Sequence, residues 1–384
     1  NGADASEIGT GKAYQLTWNL VALAKLNRAT ADARFLEAAR NGWDSIRSHH
    51  LTLGGGPWGG VAHRSREVFN PAGVFSPYGY VETCSILAWI QLNRELLAIT
   101  GEAKYADEIE RSAYNDLIGA QAPNGEDWIY YSFPNGARVF TTYWRCCKSS
   151  GAMALEELPA IAYRAQGDEI AVNLYGEGEA WLDTNAAGSV HLVQSTGYPF
   201  DGDVRMSVTP SRPARFTIRA RIPAWAAGAR VALNDCDVAQ PVEPGTYIAL
   251  DRHWNRGDEI KLVFPMQPSL HRKSNRSVQQ TFAPDGAAIE QEVMRFEYVA
   301  ITRGPLVYAT DRIDGFRMEE TISLSREPTL DIVAEPGYEG PAIRLHREGR
   351  APLAFHPYFE AGGRAHGTWR LTWLNAVGVD EKQP

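Results

Sequence analysis

The chain has 384 residues, of which 44% are hydrophobic and 22% charged, and its formal net charge is −8. This length exceeds a single ordinary hydrophobic core, so two or three domains are expected. The negative charge argues against a nucleic-acid surface or an anionic-membrane surface, and no apolar run approaches the roughly 18 residues of a membrane span.

The first part of the chain is predicted to be helical. Five segments carry the helical pattern: residues 12–28, 31–48, 83–99, 103–121 and, from about Ser149 to about Arg164, a last helix. Gly101 is the expected C-terminal stop between the third and fourth of these segments. Paired helices with short connections are typical of a bundle, solenoid or toroid, and we assign this helical region to residues 1–166.

After Gly167 the pattern becomes that of half-buried strands. Apolar and polar residues alternate in four segments: residues 170–174, 204–208, 216–222 and 260–264. Residues 167–270 therefore predict an antiparallel β-sandwich. Residues 271–288 are polar and predict a long loop. Strands resume near Phe296, so residues 271–384 form either a second β-region or the completion of the sandwich.

The use of cysteine is unusual. The chain has only four cysteines, and two of them, Cys146 and Cys147, are adjacent. Cys84 follows Glu82 by two residues, just where a loop gives way to a predicted helix. On a regular helix that spacing points the side chains about 200° apart, whereas in an extended segment they share a side. A site that uses both residues must therefore lie at the start of the helix.

One carboxylate and three thiols, from Glu82, Cys84, Cys146 and Cys147, make a four-ligand set that suits tetrahedral zinc. The spacing is not that of a zinc finger, because no CxxC pair is present. From spacing alone two alternatives stay open: a disulfide between Cys146 and Cys147, or two unrelated buried thiols. Cys236, in the β-region, is interpreted as an inert small hydrophobic side chain.

Several short motifs follow one another in a specific order along the chain. They are the helix and glycine-rich loop that lead to Glu67, the tripeptide Glu82-Thr83-Cys84, the pair Cys146-Cys147 followed by Ser149, and residues 303–308 in the β-region. In this order and spacing they resemble the β-L-arabinofuranosidase family of glycoside hydrolases. The combination of Glu-Thr-Cys with Cys-Cys is the specific part of the resemblance, which spans most of the chain.

The resemblance implies an (α/α)6 barrel followed by antiparallel β-sandwich domains, with a zinc ion held by Glu82, Cys84, Cys146 and Cys147. It also implies that Cys146 is the nucleophile and Glu67 the acid/base of a retaining glycosidase that removes terminal, β-L-arabinofuranoside-like sugars. The expected partner is a carbohydrate substrate, with no nucleic acid and no membrane; a homodimer is left open. Reduced zinc thiolates favour a cytoplasmic location.

Three positions depart from the family pattern. Lys12 stands where many members have the His of Gly-His-Ala, a residue expected to touch substrate. Lys148 and Ser150 replace the Pro and Asn of Cys-Cys-Pro-Ser-Asn. These departures bear on sugar specificity more than on reaction type. Because twelve helices of ~12 residues need well over ~200 residues, the upstream half of the barrel is expected to be absent from this sequence.

Two other classes of function fit the same pattern. A polysaccharide lyase, built from a helical toroid followed by a β-sandwich, would abstract a proton with Tyr or His and would need no zinc thiolate. A non-catalytic carbohydrate-binding or structural protein would use the zinc site only to join its helices.

Overall fold

The computed structural model of the protein describes residues 3–8, 12–59, 67–141, 145–311, 321–325, 327–347 and 349–378. Helices occupy the first part and several sheets the rest, in the predicted order. The α-helices of the described residues are α1 (Ala5–Ile8), α2 (Ala13–Thr30), α3 (Ala33–His49), α4 (Thr83–Thr100), α5 (Ala103–Ser112), α6 (Ile118–Ala120) and α7 (Arg145–Ala162). Among these residues, no helix is both long and apolar enough to cross a membrane.

Helix α4 is the centre of the helical part. It packs against α2, α5 and α7, and most of its residues are buried because its sequence is apolar on nearly every side. The helix ends at Gly101, whose φ of 67° lies in the left-handed region that glycine adopts at little steric cost. The predicted stop at Gly101 is confirmed.

The last helix begins earlier than predicted. Helix α7 starts at Arg145 rather than near Ser149, so Cys146 and Cys147 lie in its first turn. Residues 144–147 contain none of the Ser, Thr, Asp or Asn residues that mark a helix N-terminus, so nothing in the sequence indicated this start.

Short strands connect the helices. They are β1 (Trp58–Gly59), β2 (Tyr80–Glu82), β3 (Trp128–Ile129), β4 (Tyr131–Ser132), β5 (Asn135–Ala137) and β6 (Phe140–Thr141). Strand β2 pairs antiparallel with both β1 and β4. This small sheet places the end of β2 directly before α4.

Two sheets follow the helices. Their strands are β7 (Tyr163–Gln166), β8 (Glu169–Val172), β9 (Gly178–Thr184), β10 (Gly188–Thr196), β11 (Asp203–Pro210), β12 (Ala214–Ile222), β13 (Arg230–Leu233), β14 (Cys236–Asp237), β15 (Thr246–Trp254) and β16 (Asp258–Val263). One sheet has the order β14-β13-β16-β11-β10-β9 and the other β15-β12-β8-β7. Buried side chains of both sheets, such as Leu192 and Ile218, belong to one hydrophobic core. The strands predicted in this region are confirmed, but β8 and β12 pair parallel rather than antiparallel.

The final sheet overturns one prediction. Its strands are β17 (Pro268–Phe282), β18 (Ala288–Arg303), β19 (Leu306–Ala309), β20 (Thr321–Leu324), β21 (Leu330–Val333), β22 (Ala342–Arg347), β23 (Arg350–Pro357) and β25 (Leu374–Gly378). Strand β24 (Trp369–Leu371) lies outside this sheet and pairs with β5. The loop predicted at residues 271–288 is wrong, because most of it forms β17 in a long hairpin with β18. The outer part of this hairpin is exposed, so it lacks the apolar alternation by which a half-buried strand is recognised.

The structure thus has mixed helices and sheets, as predicted. The finer assignment of an (α/α)6 barrel and a β-sandwich stays a prediction.

Candidate active site

A strand end and two helices bring the four predicted metal ligands together. Glu82 ends β2 in an extended conformation, with φ −82° and ψ 134°, and Cys84 is the second residue of α4. Cys146 and Cys147 lie in the first turn of α7, which packs along α4. One carboxylate oxygen and three sulfur atoms all lie within 4.8 Å of one another. We call these four residues the thiol cluster; it lies at the start of α4, as the spacing of Glu82 and Cys84 predicts.

The distances within the thiol cluster fit a tetrahedral metal. The Sγ atoms of Cys84 and Cys147 are 3.6 Å apart, and the Sγ atom of Cys147 is 4.0 Å from Oε1 of Glu82. Zinc–sulfur bonds of about 2.3 Å at tetrahedral angles separate two sulfur atoms by roughly 3.8 Å. All four cysteines of the chain are free thiols. The alternative of a disulfide between Cys146 and Cys147 is therefore not what the structure contains.

Burial leaves this cluster short of partners. Glu82 is 3% exposed, and its Oε2 atom is buried without a hydrogen bond to any of the residues that the structure describes. Burial, with smaller contributions from Cys84 and Glu67, raises the pKa of Glu82 to about 9. A hydrogen bond from Cys147 lowers the pKa of the Cys84 thiol to about 6, against the opposite effect of burial. A cation would satisfy the orphaned oxygen and the ionised thiol together.

The two adjacent cysteines differ in access. Cys147 is fully buried, whereas Cys146 is exposed. Burial and the neighbouring Cys84 raise the pKa of the Cys146 thiol, while hydrogen bonds from Cys147 and Tyr130 act in the opposite direction. Only Cys146 of this pair can therefore meet a molecule that approaches from solvent.

Glu67 lies in a fully occupied setting. Its Oε1 atom accepts hydrogen bonds from the hydroxyls of Tyr130, at 2.9 Å, and of Tyr131. Its Oε2 atom forms an ion pair with the ammonium of Lys12. Burial by itself would raise the pKa of Glu67, but the hydrogen bonds from Lys12, Tyr131 and Tyr130 outweigh burial and bring the pKa below its ordinary value.

Tyr130 connects Glu67 to the thiol cluster. Its hydroxyl binds Glu67, while its carbonyl oxygen accepts the N–H of Thr83 at 3.2 Å and lies 4.0 Å from the Sγ atom of Cys147. The structure thus brings the predicted glutamate beside the predicted metal ligands. Tyr130 and Tyr131 were not singled out in the sequence, because a pair of tyrosines is an ordinary pattern for a buried strand.

The positions that depart from the family pattern have different surroundings. Ser150 is buried and its hydroxyl donates to the Sγ atom of Cys84 at 3.3 Å, so it supports a cluster thiol. Lys148 is half-exposed, with its ammonium 3.9 Å from Asp127. Cys236 is exposed on β14, so its interpretation as a small hydrophobic side chain is wrong. Strand β14 is only two residues long, so the sequence around Cys236 shows no alternation of apolar and polar residues from which burial could be predicted.

Two family models match the chain. Residues 7–160 match the model described as the β-L-arabinofuranosidase GH127 catalytic domain. Residues 169–266 match the model described as the β-L-arabinofuranosidase GH127 middle domain. The two matches together span well over half of the 384 residues.

A curated relative and solved structures agree with these matches. A non-reducing end β-L-arabinofuranosidase of Bifidobacterium longum subsp. longum is 21% identical over 330 residues, which cover 80% of this chain and 47% of the relative. The structure of a GH127 β-arabinofuranosidase superposes with a TM-score of 0.79 at 24% identity, covering 96% of this chain and 60% of that chain. A GH127 β-L-arabinofuranosidase from Geobacillus stearothermophilus T6 gives 0.76 at 23% identity, covering 96% and 61%.

The fold is therefore shared with these structures, and the chain spans about half the length of the curated relative.

Proposed function

Because the chain belongs to the GH127 family of β-L-arabinofuranosidases, we propose that it is a zinc-dependent, retaining glycoside hydrolase that removes terminal, β-L-arabinofuranoside-like sugars from glycans. The observation that supports this proposal is the thiol cluster, with ligand atoms within 4.8 Å of one another and Glu67 held beside it by Tyr130. A thiol cluster alone would equally suit a structural metal. The neighbouring carboxyl of Glu67 adds a group that can transfer protons, which a catalytic site needs.

The donor set of the thiol cluster favours zinc over harder cations, because thiolates are soft ligands and four of these donors suit tetrahedral coordination. Glu82, Cys84, Cys146 and Cys147 would hold the ion. When bound, zinc would keep the thiols deprotonated near neutral pH, at some cost to their nucleophilicity.

The first half of the proposed reaction uses Cys146 and Glu67. The thiolate of Cys146 attacks the anomeric carbon, and the bond from that carbon to the departing oxygen breaks with its electron pair. The carboxyl of Glu67 gives its proton to the departing oxygen. The result is a sugar bonded to the Sγ atom of Cys146, with the anomeric carbon inverted once.

The second half reverses these roles. The carboxylate of Glu67 accepts a proton from water as the water oxygen attacks the same anomeric carbon. The bond to Sγ breaks and returns the thiolate of Cys146. Two inversions give net retention. The exposure of Cys146 and the full burial of Cys147 support the choice of Cys146 for both steps.

We also infer the finer architecture from the same family membership. Residues 1–166 would form a portion of an (α/α)6 barrel, residues 167–270 a β-sandwich, and residues 271–384 a second β-region or the completion of that sandwich. The single core shared by the two middle sheets supports the sandwich. A cluster of free thiols suits a reducing compartment such as the cytoplasm.

The test combines metal analysis, turnover and trapping. Protein kept reduced and away from chelators should carry about one zinc per chain, hydrolyse an aryl β-L-arabinofuranoside, and take up an electrophilic sugar analogue on Cys146. Absence of metal, or an adduct mapped to Glu67, would contradict the mechanism. Formation of an unsaturated, ultraviolet-absorbing sugar would instead favour a lyase. A Cys146→Ser variant that loses function only in proportion to stability would favour a structural zinc protein.

A further inference from the structure

Every oxygen of the Glu67 carboxylate is already engaged in the structure. Oε1 accepts two tyrosine hydroxyls, and Oε2 faces the ammonium of Lys12. Glu67 is 5% exposed, so water has little access to it, whereas the side chain of Lys12 is 40% exposed. All three partners are donors and therefore favour the ionised carboxylate, and among them the ammonium of Lys12 carries the charge.

The main chain holds both members of this pair in place. The N–H of Ala13 donates to the carbonyl oxygen of Glu67 at 2.8 Å, and the N–H of Glu67 donates to the hydroxyl of Tyr80 at 3.0 Å. The φ of Glu67 is 54°, in the left-handed region that residues other than glycine rarely adopt. The N–H of Lys12 donates to the side chain of Gln15 at 3.1 Å at the start of α2. The ion pair therefore joins two anchored segments.

Other charged and titratable groups surround the pair from several elements. Strand β2 contributes Tyr80 and Glu82, and α2 contributes Tyr14, whose ring centre lies 5.7 Å from the ammonium of Lys12. The remaining neighbours are the hydroxyls of Tyr130 and Tyr131 and, beyond them, the thiols of the cluster. Among the described residues Lys12 is the cation in direct contact with Glu67, and its charge favours the ionised carboxyl.

We propose that Lys12 is a positioning residue that keeps Glu67 ionised and able only to accept hydrogen bonds in the free protein, so that Glu67 must take up a proton against its ion pair with Lys12 before it can protonate a departing oxygen. This rests on the proposed function for the role of Glu67. Substrates whose leaving group departs without a proton, such as phenols, are then favoured over alkyl glycosides.

The test reads the carboxyl itself rather than turnover. Zinc-loaded protein labelled with 13C at the glutamate carboxyls is titrated by NMR, and the Glu67 signal is assigned by its loss in Glu67→Gln. The midpoint should rise by at least about one pH unit in Lys12→Met and in Lys12→Gln, since a contacting opposite charge shifts a pKa by roughly 1–3 units. Lys12→Arg, which keeps the charge, should leave the midpoint nearly unchanged.

Lys25→Met is the matched control, because Lys25 is exposed on the same helix and lies roughly 20 Å farther along it. Its titration should match that of the unaltered protein. An unchanged midpoint in both neutral variants of Lys12 overturns the proposal, and so does an equal rise in Lys12→Arg, which would make packing rather than charge the cause. A protein that hydrolyses no arabinofuranoside would refute the proposed function, while this titration would still decide the role of Lys12.

Discussion

Two buried polar clusters of this molecule contrast in how completely their partners are supplied. In the first, Arg221 of β12 is fully buried between α5 and the middle sheets. Its guanidinium contacts Asp107, pairs with Glu110 at 2.5 Å and donates to the carbonyl oxygen of Asn173 at 2.6 Å. Glu110 also accepts the hydroxyl of Tyr198 at 2.6 Å. We call this group the Arg221 cluster.

The thiol cluster is equally buried at three of its four residues, yet Oε2 of Glu82 has no hydrogen-bond partner in the described part of the chain and three thiols face one another. A buried network that is fully hydrogen-bonded joins elements of the fold, whereas a buried group without partners is costly unless a ligand completes it. This contrast supports a stabilising role for the Arg221 cluster and is consistent with the proposed metal binding by the thiol cluster.

The largest expected effect is on turnover at the thiol cluster. Cys146→Ser and Cys147→Ser should each lower kcat/KM by at least ~10^4-fold, because removal of a nucleophile or of its activating partner removes most of the chemical catalysis. Addition of excess zinc distinguishes the two variants: it should partly restore the activity of Cys147→Ser, and it should not restore the activity of Cys146→Ser.

Cys236→Ser is the control for these cysteine variants, since Cys236 is exposed on β14, and it should retain full activity. Mapping of a trapped sugar to Cys147 would exchange the roles of the two adjacent cysteines. Mapping to any residue that is not a cysteine would end the thiolate mechanism.

The next effect is on stability at the Arg221 cluster. Arg221→Met leaves the carboxylates of Asp107 and Glu110 buried without their cation, so the free energy of unfolding should fall by about 3–5 kcal/mol. The zinc content of the folded protein should not change. Denaturant unfolding measures the first quantity and elemental analysis the second.

Arg215→Met provides the comparison on the same strand, because Arg215 is exposed and pairs with Asp251 at the surface. It should leave the unfolding free energy nearly unchanged. A loss of zinc in Arg221→Met would show that the Arg221 cluster also affects metal binding at the thiol cluster, and would contradict separate roles for the two clusters.

Glu67 lies beside the thiol cluster, but both of its carboxylate oxygens have partners, as in the Arg221 cluster. Glu67→Gln should lower kcat/KM by about 10^2- to 10^3-fold on alkyl arabinofuranosides, which need a proton on the leaving oxygen. The loss should be much smaller on aryl substrates with acidic phenols. A series of leaving groups measures this difference, and equal losses across the series would remove Glu67 from the acid role.

The smallest effect is a pH dependence of stability in metal-stripped protein. Burial raises the pKa of Glu82 from 4.5 to about 9, so above pH 4.5 the unfolded chain loses a proton that the folded protein keeps. Stability should therefore fall as the pH rises, by roughly 2 kcal/mol between pH 4.5 and 6. Above pH 6 the Cys84 thiol, whose pKa is lowered from 9.0 to about 6, acts in the opposite direction.

Unfolding free energies measured across this pH range check the sign. Glu82→Gln should remove the decline between pH 4.5 and 6, because the amide does not titrate. Zinc-loaded protein should not show it either, since the folded carboxylate is then already ionised. A decline of the same size in Glu82→Gln would assign it to other carboxyls.

Much of this protein could be predicted from its sequence because its signals are local. Helix α3 and strand β11 have clear periods of 3.6 and 2 residues, since each buries its apolar residues against a core. The residues of the thiol cluster were found because three of only four cysteines fall in two specific motifs. Whether a residue can serve as a metal ligand depends on the chemistry of its side chain, which can be read directly from the sequence.

The tertiary structure alone decided which side chains meet. The contact of Lys12 with Glu67, and of both with the pair Tyr130 and Tyr131, joins three segments that are distant in the chain. No periodicity encodes such a contact, because it depends on how the segments pack. The hairpin of β17 and β18 was missed for the opposite reason: its outer strands pair through the main chain and bury few side chains, so the sequence carries no pattern of burial to indicate them.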